Sequence, residues 1–322
     1  VIVILTNVVS LICLAWVLNG AGLTHIWSEV RHMRWNWVCV ALVCNLLVYL
    51  LQGWRWKLLL TPIKRVSFAQ PVEAIYVALF ANEVLPLRAG ELIRCFLLSK
   101  STGIPLSVTF ASALIERIFD GVWLMICFLF CLQMGKLPEV LVEGGYILGI
   151  LIAVCGLIIG FAMYTRTQAL DPWFGLSWPR WFNTLIEDLH LIGHSRYLYF
   201  SFFVSGVFII AQIVPIYALV LANDLAVPWT ASFVLMVVLR LSSVVPQAPG
   251  NIGSFQWVTA KTLIKMFGLA AGHAKRFSLI LWAVITIPLV IVGFIALAIQ
   301  GLNMNRLHKE ATAAAQGQEK SR

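Results

Sequence analysis

The stretch Asn82-Glu83-Val84-Leu85-Pro86-Leu87-Arg88-Ala89-Gly90-Glu91-Leu92-Ile93-Arg94 constrains this chain more than any other. It lies inside an apolar run of membrane-spanning length, yet it holds a proline, a glycine, two glutamates and two arginines. A charge at the centre of a lipid-facing helix costs roughly 2.5–3.5 kcal/mol. A helix breaker also frees backbone groups that hydrocarbon cannot satisfy. Such a segment persists only where protein or a wet cavity surrounds it, which makes it the first candidate for a functional site.

The remainder reads as a membrane protein that houses this stretch. Hydrophobic residues make up 61% of the 322 residues and charged ones 11%, against about 25% charged in soluble domains. Mean hydropathy is +0.90. The net charge of +9 is dispersed, and no basic patch interleaved with aromatics points to nucleic acid. The cysteines fall mostly inside apolar runs and form no CxxC pair, so they read as small buried hydrophobes. Val1 lies within the first apolar run, so native residues are expected to precede it. No basic start or small-residue cleavage site marks a cleavable signal peptide.

The expected class is an all-α, polytopic integral membrane protein with about six full spans and two broken segments. The spans are 1–18, 37–51, 107–132, 146–163, 197–221 and 277–299. Residues 19–35 read as an interfacial loop. The second span ends at Gly53-Trp54-Arg55-Trp56-Lys57, where tryptophans beside basic residues suggest headgroup level. The broken segments are 68–98 and 230–267, the latter interrupted by Pro246-Gln247-Ala248-Pro249-Gly250-Asn251-Ile252-Gly253. A transmembrane domain therefore covers 1–302, with halves 1–163 and 197–302. Residues 179–193 have the periodicity of an amphipathic surface helix, and 303–322 form a polar, disordered cytoplasmic tail.

Broken segments in corresponding places of two halves suggest an inverted repeat with its site near the midplane. If neither segment crosses, most Lys and Arg fall on one side, and both termini are cytoplasmic by the positive-inside rule. If both cross, eight spans result, and Arg166, Arg180 and Arg196 move outside, which weakens that bias.

The charges Glu83, Arg88, Glu91, Arg94, Glu116, Arg117 and Asp120 lie in or near the membrane. Together and unpaired they would cost on the order of 20 kcal/mol, so they must pair or be hydrated. Arg88 with Glu91, Glu91 with Arg94, and Arg117 with Asp120 have helical i,i+3 spacing. Glu116 and Asp120 share one helix face and call for a cation: a substrate amine, a proton or an arginine of the first broken segment. Arg88 and Arg94 are the candidate ligands of a lipid phosphate, since a guanidinium fork matches phosphate oxygens. Asn82 completes this group. Pro86, Gly90, Pro246, Pro249, Gly250 and Gly253 are the helix-breaking positions. Asn251 or Ser254 could cap the helix after the second break, whose first amides could hold an anion. Arg55, Arg240, Gln247 and Gln256 are secondary candidates. Enzyme motifs are absent, no cofactor is implied, and His190 with His194 lacks companion metal ligands.

Asn82, Leu85-Pro86, Arg88, Gly90-Glu91 and Arg94, then Glu116-Arg117 and Asp120, then Pro246, Pro249-Gly250 and Gly253, resemble the lysylphosphatidylglycerol synthase transmembrane-region family. Arg55-Trp56 after the second span fits as well. The resemblance spans about residues 1–300 and implies a bacterial inner-membrane protein that moves lipids between leaflets. Leu87 and Gln256 depart from the family pattern, where a glycine and an acidic residue are expected. No soluble aminoacyltransferase domain accompanies the resembling region, so that activity is not implied. The expected function is a lipid flippase acting on an anionic phospholipid or a glycolipid. The alternative is an integral-membrane enzyme or accessory factor in glycolipid or envelope-polysaccharide assembly. An envelope glycosyltransferase and a second copy of the chain are the possible protein partners.

Overall fold

The computed structural model describes residues 2–19, 21, 23–85, 89–134, 139–164, 190, 192–193, 195–243 and 248–299. The helices are α1 (Ile2–Leu18), α2 (Leu23–His32), α3 (Trp35–Leu60), α4 (Ala69–Val84), α5 (Gly90–Thr102), α6 (Leu106–Met134) and α7 (Glu139–Tyr164). They continue with α8 (Arg196–Ala211), α9 (Ile213–Ala222), α10 (Trp229–Ser242), α11 (Ser254–Phe267) and α12 (Ala271–Ile299). Among the described residues there is no strand.

Among the described residues, four segments are long and apolar enough to cross a membrane: Trp35–Leu60, Val142–Phe161, Arg196–Ala222 and Ala271–Ile299. Their outer faces carry large exposed apolar side chains, among them Ile147, Leu157, Phe200 and Phe294. Arg55, Arg94 and Glu116 are buried instead. Oil outside and charge inside is the reverse of a soluble domain, and it identifies an integral membrane protein.

The first broken segment is a hairpin. At its tip the Gly90 amide donates to Asn82 Oδ1 at 2.9 Å. At its open end Gln70 Nε2 donates to the Ser101 carbonyl at 3.2 Å. The two helices therefore run antiparallel along their whole length. At 1.5 Å per residue they reach about 24 and about 20 Å, short of the roughly 30 Å hydrocarbon core. Gly90 permits the close approach: a Cβ there would stand 2.1 Å from the Ala78 carbonyl oxygen and 2.5 Å from Asn82 Oδ1.

The second broken segment consists of α10, a 3-10 turn over Pro249–Asn251, and α11. Gly250, Asn251 and Gly253 all have positive φ, at 72°, 51° and 90°, a region that glycine enters freely and asparagine more readily than most residues. Trp282 of α12 donates to the Gly250 carbonyl at 2.8 Å. A Cβ on Gly253 would lie 1.9 Å from the Ser10 carbonyl oxygen, so α1 packs directly on this turn. The cap of α11 differs from the expectation of Asn251 or Ser254. Gly253 is the N-cap, and its amide donates to Gln256 Oε1 at 2.6 Å. Gln256 is buried and acts as a cap at the start of α11. Gln256→Ala should therefore lower stability by about 1–2 kcal/mol, read as a lower midpoint in thermal unfolding of the detergent-solubilised protein. Gln256→Glu, which keeps the acceptor, should retain most of that stability.

Three further expectations change. The stretch 19–35 contains α2 rather than loop alone. The second span does not stop near Leu51: α3 continues to Leu60, and Arg55 and Trp56 are buried in protein, not placed at a headgroup surface. The span 197–221 is broken at Gln212, three residues before Pro215. Pro86, Leu87, Arg88, Pro246, Gln247, most of 179–193 and the tail 303–322 lie outside the described residues.

Candidate functional site

Three elements bring the charges together: α3 supplies Arg55, α5 supplies Glu91 and Arg94, and α6 supplies Glu116, Arg117 and Asp120. Glu116 is the junction. Its Oε1 accepts from Arg55 Nε at 3.1 Å and its Oε2 from Arg94 Nη1 at 2.6 Å. Arg55 also donates to both oxygens of Asp120 and to Ser205 Oγ of α8, the latter at 3.1 Å. Arg94 Nε donates to Glu91 Oε2 at 2.9 Å. Arg117 stands farther off, 3.5 Å from Glu91 and 3.7 Å from Asp120.

Aromatic faces complete the desolvation. Arg94 stacks over Trp56 at 4.6 Å and Arg55 over Phe208 at 5.0 Å, contacts that stabilise a guanidinium without taking its donors. Trp56 is itself held by its Nε1–H, which donates to Ser112 Oγ of α6 at 2.9 Å. Charge-assisted, partly bidentate bonds of this kind offset the desolvation cost of the ions.

The i,i+3 pair of Glu91 and Arg94 is present as the spacing suggests, while that of Arg117 and Asp120 is long. The cation that bridges Glu116 and Asp120 is Arg55, which sequence reasoning had placed at the membrane surface; Arg94 of the first broken segment, one of the three cations offered, bonds Glu116 but not Asp120. Arg94 is 1% exposed, with carboxylates and an indole face around it. Asn82 closes the hairpin tip through Gly90, and Arg88 lies outside the described residues.

Beside this cluster lies a cavity of about 240 Å³. Its walls include Asn45, Gln52, Glu91, Arg117, Asp120 and Arg240. Arg240 of α10 had been a secondary candidate, and its partner Gln212 had not been singled out. At the α8–α9 break the Gln212 amide bonds back to the Ile209 carbonyl. Its side-chain Nε2 donates to the Phe208 carbonyl at 3.1 Å. That fixes Oε1 toward Arg240, whose Nε donates to it at 2.8 Å and whose Nη2 also donates to it. A glutamine three residues before a proline, within a long apolar span, was the available signal.

The cavity wall mixes these polar and charged side chains with apolar ones such as Phe208, Ile216 and Met236, lies among helices with apolar outer faces, and is smaller than the roughly 300–1,000 Å³ of drug-sized pockets. It suits a headgroup or a few waters, with acyl chains left outside.

Comparison with known proteins finds membrane-protein relatives. A UPF0104 membrane protein of Methanothermobacter thermautotrophicus is 22% identical over 291 residues, covering 81% of this chain and 83% of that protein. The family profile of the lysylphosphatidylglycerol synthase TM region matches residues 3–293. That range holds the hairpin, the charge cluster and the cavity, and the chain belongs to the lysylphosphatidylglycerol synthase transmembrane-region family.

Proposed function

We propose that the protein is a lipid translocase of the bacterial inner membrane, moving a phospholipid or glycolipid between leaflets. One observation carries this reading: a charge-lined cavity opens among helices whose outer surfaces suit lipid. A polar headgroup crossing a bilayer needs such a chamber, because bare hydrocarbon offers its charges no partners. In this reading α1, α3, α6, α7, α8–α9 and α12 make six crossings. The α4–α5 hairpin and the α10–α11 pair enter from opposite sides as inverted counterparts, and both termini are cytoplasmic. The alternative of an enzyme draws on Glu116 and Asp120 as an acid–base pair. Arg55 bonds both carboxylates, and that engagement favours transport.

Glu91 is the variant of choice, because it faces the cavity and is half-exposed. Glu91→Ala should abolish transfer of fluorescent phosphatidylglycerol or phosphatidylethanolamine in reconstituted vesicles, followed by dithionite quenching, at wild-type expression. Wild-type transfer by this variant would refute the site. Wild-type protein that moves no labelled lipid faster than protein-free vesicles would remove the translocase reading itself.

A further inference from the structure

Arg55 and Arg94 each form ion pairs with carboxylates, and among the described residues Arg240 forms none. The partner that accepts from its Nε and Nη2 is the neutral amide of Gln212. Among the described residues no carboxylate lies within ion-pair distance of Arg240, and its Nη1 makes no hydrogen bond to one of them. Its guanidinium packs over Phe208 at 5.5 Å and lines the 240 Å³ cavity. An arginine does not shed its proton, so a full positive charge stands at the cavity wall. Of the acids on that wall, Asp120 bonds Arg55 and acts on Arg240 only across a distance, and Glu91 bonds Arg94. A cation on a cavity wall with no paired carboxylate offers a site to an anion.

We infer that Arg240, oriented by Gln212, is the binding residue for a phosphate group in this cavity. This goes beyond the translocase reading by naming the chemistry recognised, and it rests on that reading for the source of the phosphate. Gln212 holds two of the guanidinium nitrogens by one oxygen, which leaves the Nη1 edge for phosphate oxygens. That fork geometry distinguishes arginine from lysine at such a site. The neutrality of Gln212 is what keeps the charge available.

Binding is measured on the purified full chain in a non-ionic detergent by isothermal titration calorimetry. Three probes are used: dihexanoylphosphatidylglycerol, dihexanoylglycerol without the phosphate, and inorganic phosphate. The wild type should bind the phospholipid and not its phosphate-free counterpart. Arg240→Gln should weaken that binding about tenfold or more. Gln212→Glu is the decisive second variant. It preserves the acceptor of Arg240, and so the fold, but neutralises the guanidinium, and it should weaken binding to a similar extent. Arg240→Lys should recover part of the affinity. Inorganic phosphate that competes with the phospholipid supports a phosphate site open to either source, and phospholipid binding without competition supports a site that needs the lipid. Unchanged binding in Gln212→Glu and Arg240→Gln, or equal binding of dihexanoylglycerol, overturns the assignment. Phosphate-selective binding lost in both variants, together with no leaflet transfer by the wild type, leaves the site standing and removes only the translocase reading.

Discussion

Glu116→Ala should destabilise the protein by about 3–5 kcal/mol, the range for removing one partner of a buried charge pair. Glu116 is fully buried and touches two arginines that are themselves within 1% of complete burial. Its loss leaves Arg94 to Glu91 alone and takes from Arg55 one of its two carboxylates. Thermal unfolding in detergent or in nanodiscs should show a sharply lower midpoint and poor recovery of folded protein. Glu116→Gln keeps an acceptor of the same shape without the charge, and should fall between the alanine variant and the wild type. Adding Arg94→Met to Glu116→Ala should cost less than the sum of the two single changes, because the second substitution removes the charge that the first left unpaired. An unchanged midpoint in Glu116→Ala would show that water compensates the arginines and that the cluster is not a structural lock.

The second large effect is expected at the hairpin tip. In Gly90→Ala the new methyl would stand 2.1 Å from a backbone oxygen of Ala78 and 2.5 Å from Asn82 Oδ1. Backbone cannot swing aside as a flexible side chain can, so α5 must move away from α4. Overpacking of this kind costs about 1–3 kcal/mol, and the strained Asn82 hydrogen bond adds about 1 kcal/mol. Glu91 is the next residue and Arg94 lies one turn on, so the displacement passes directly into the charge cluster. Gly90→Ala should therefore lower the unfolding midpoint and also reduce leaflet transfer in the fraction that remains folded. Asn82→Ala removes only the hydrogen bond and should show the smaller stability loss. A Gly90→Ala protein as stable and as active as the wild type would mean that the tip is looser than its geometry indicates.

Much of this was legible in the residues. Pro86 and Gly90 marked the first break, and a hairpin stands there. Pro249, Gly250 and Gly253 marked the second, and the positive φ at Gly250, Asn251 and Gly253 shows why a helix could not continue. The face shared by Glu116 and Asp120 followed from their spacing alone, since helical period is a local property. So did the bond between Glu91 and Arg94.

Arg55 was misplaced for a physical reason. Tryptophans and basic residues at the end of an apolar run look the same whether they meet headgroups or a buried carboxylate. Its counter-charges lie 61 and 65 residues away, and no local pattern reports them. The partners of Arg94 were hidden for the same cause: Trp56 comes from α3 and Glu116 from α6. Gln212 and Arg240, 28 residues apart, gain meaning only when the α8–α9 break aims one at the other. The residues by themselves determined that charges and helix breakers must be sheltered from lipid, because the cost of exposing them depends on chemistry and local backbone alone. Tertiary packing decided which charge neutralises which, because ion pairing depends on distance across helices that the order of residues does not contain.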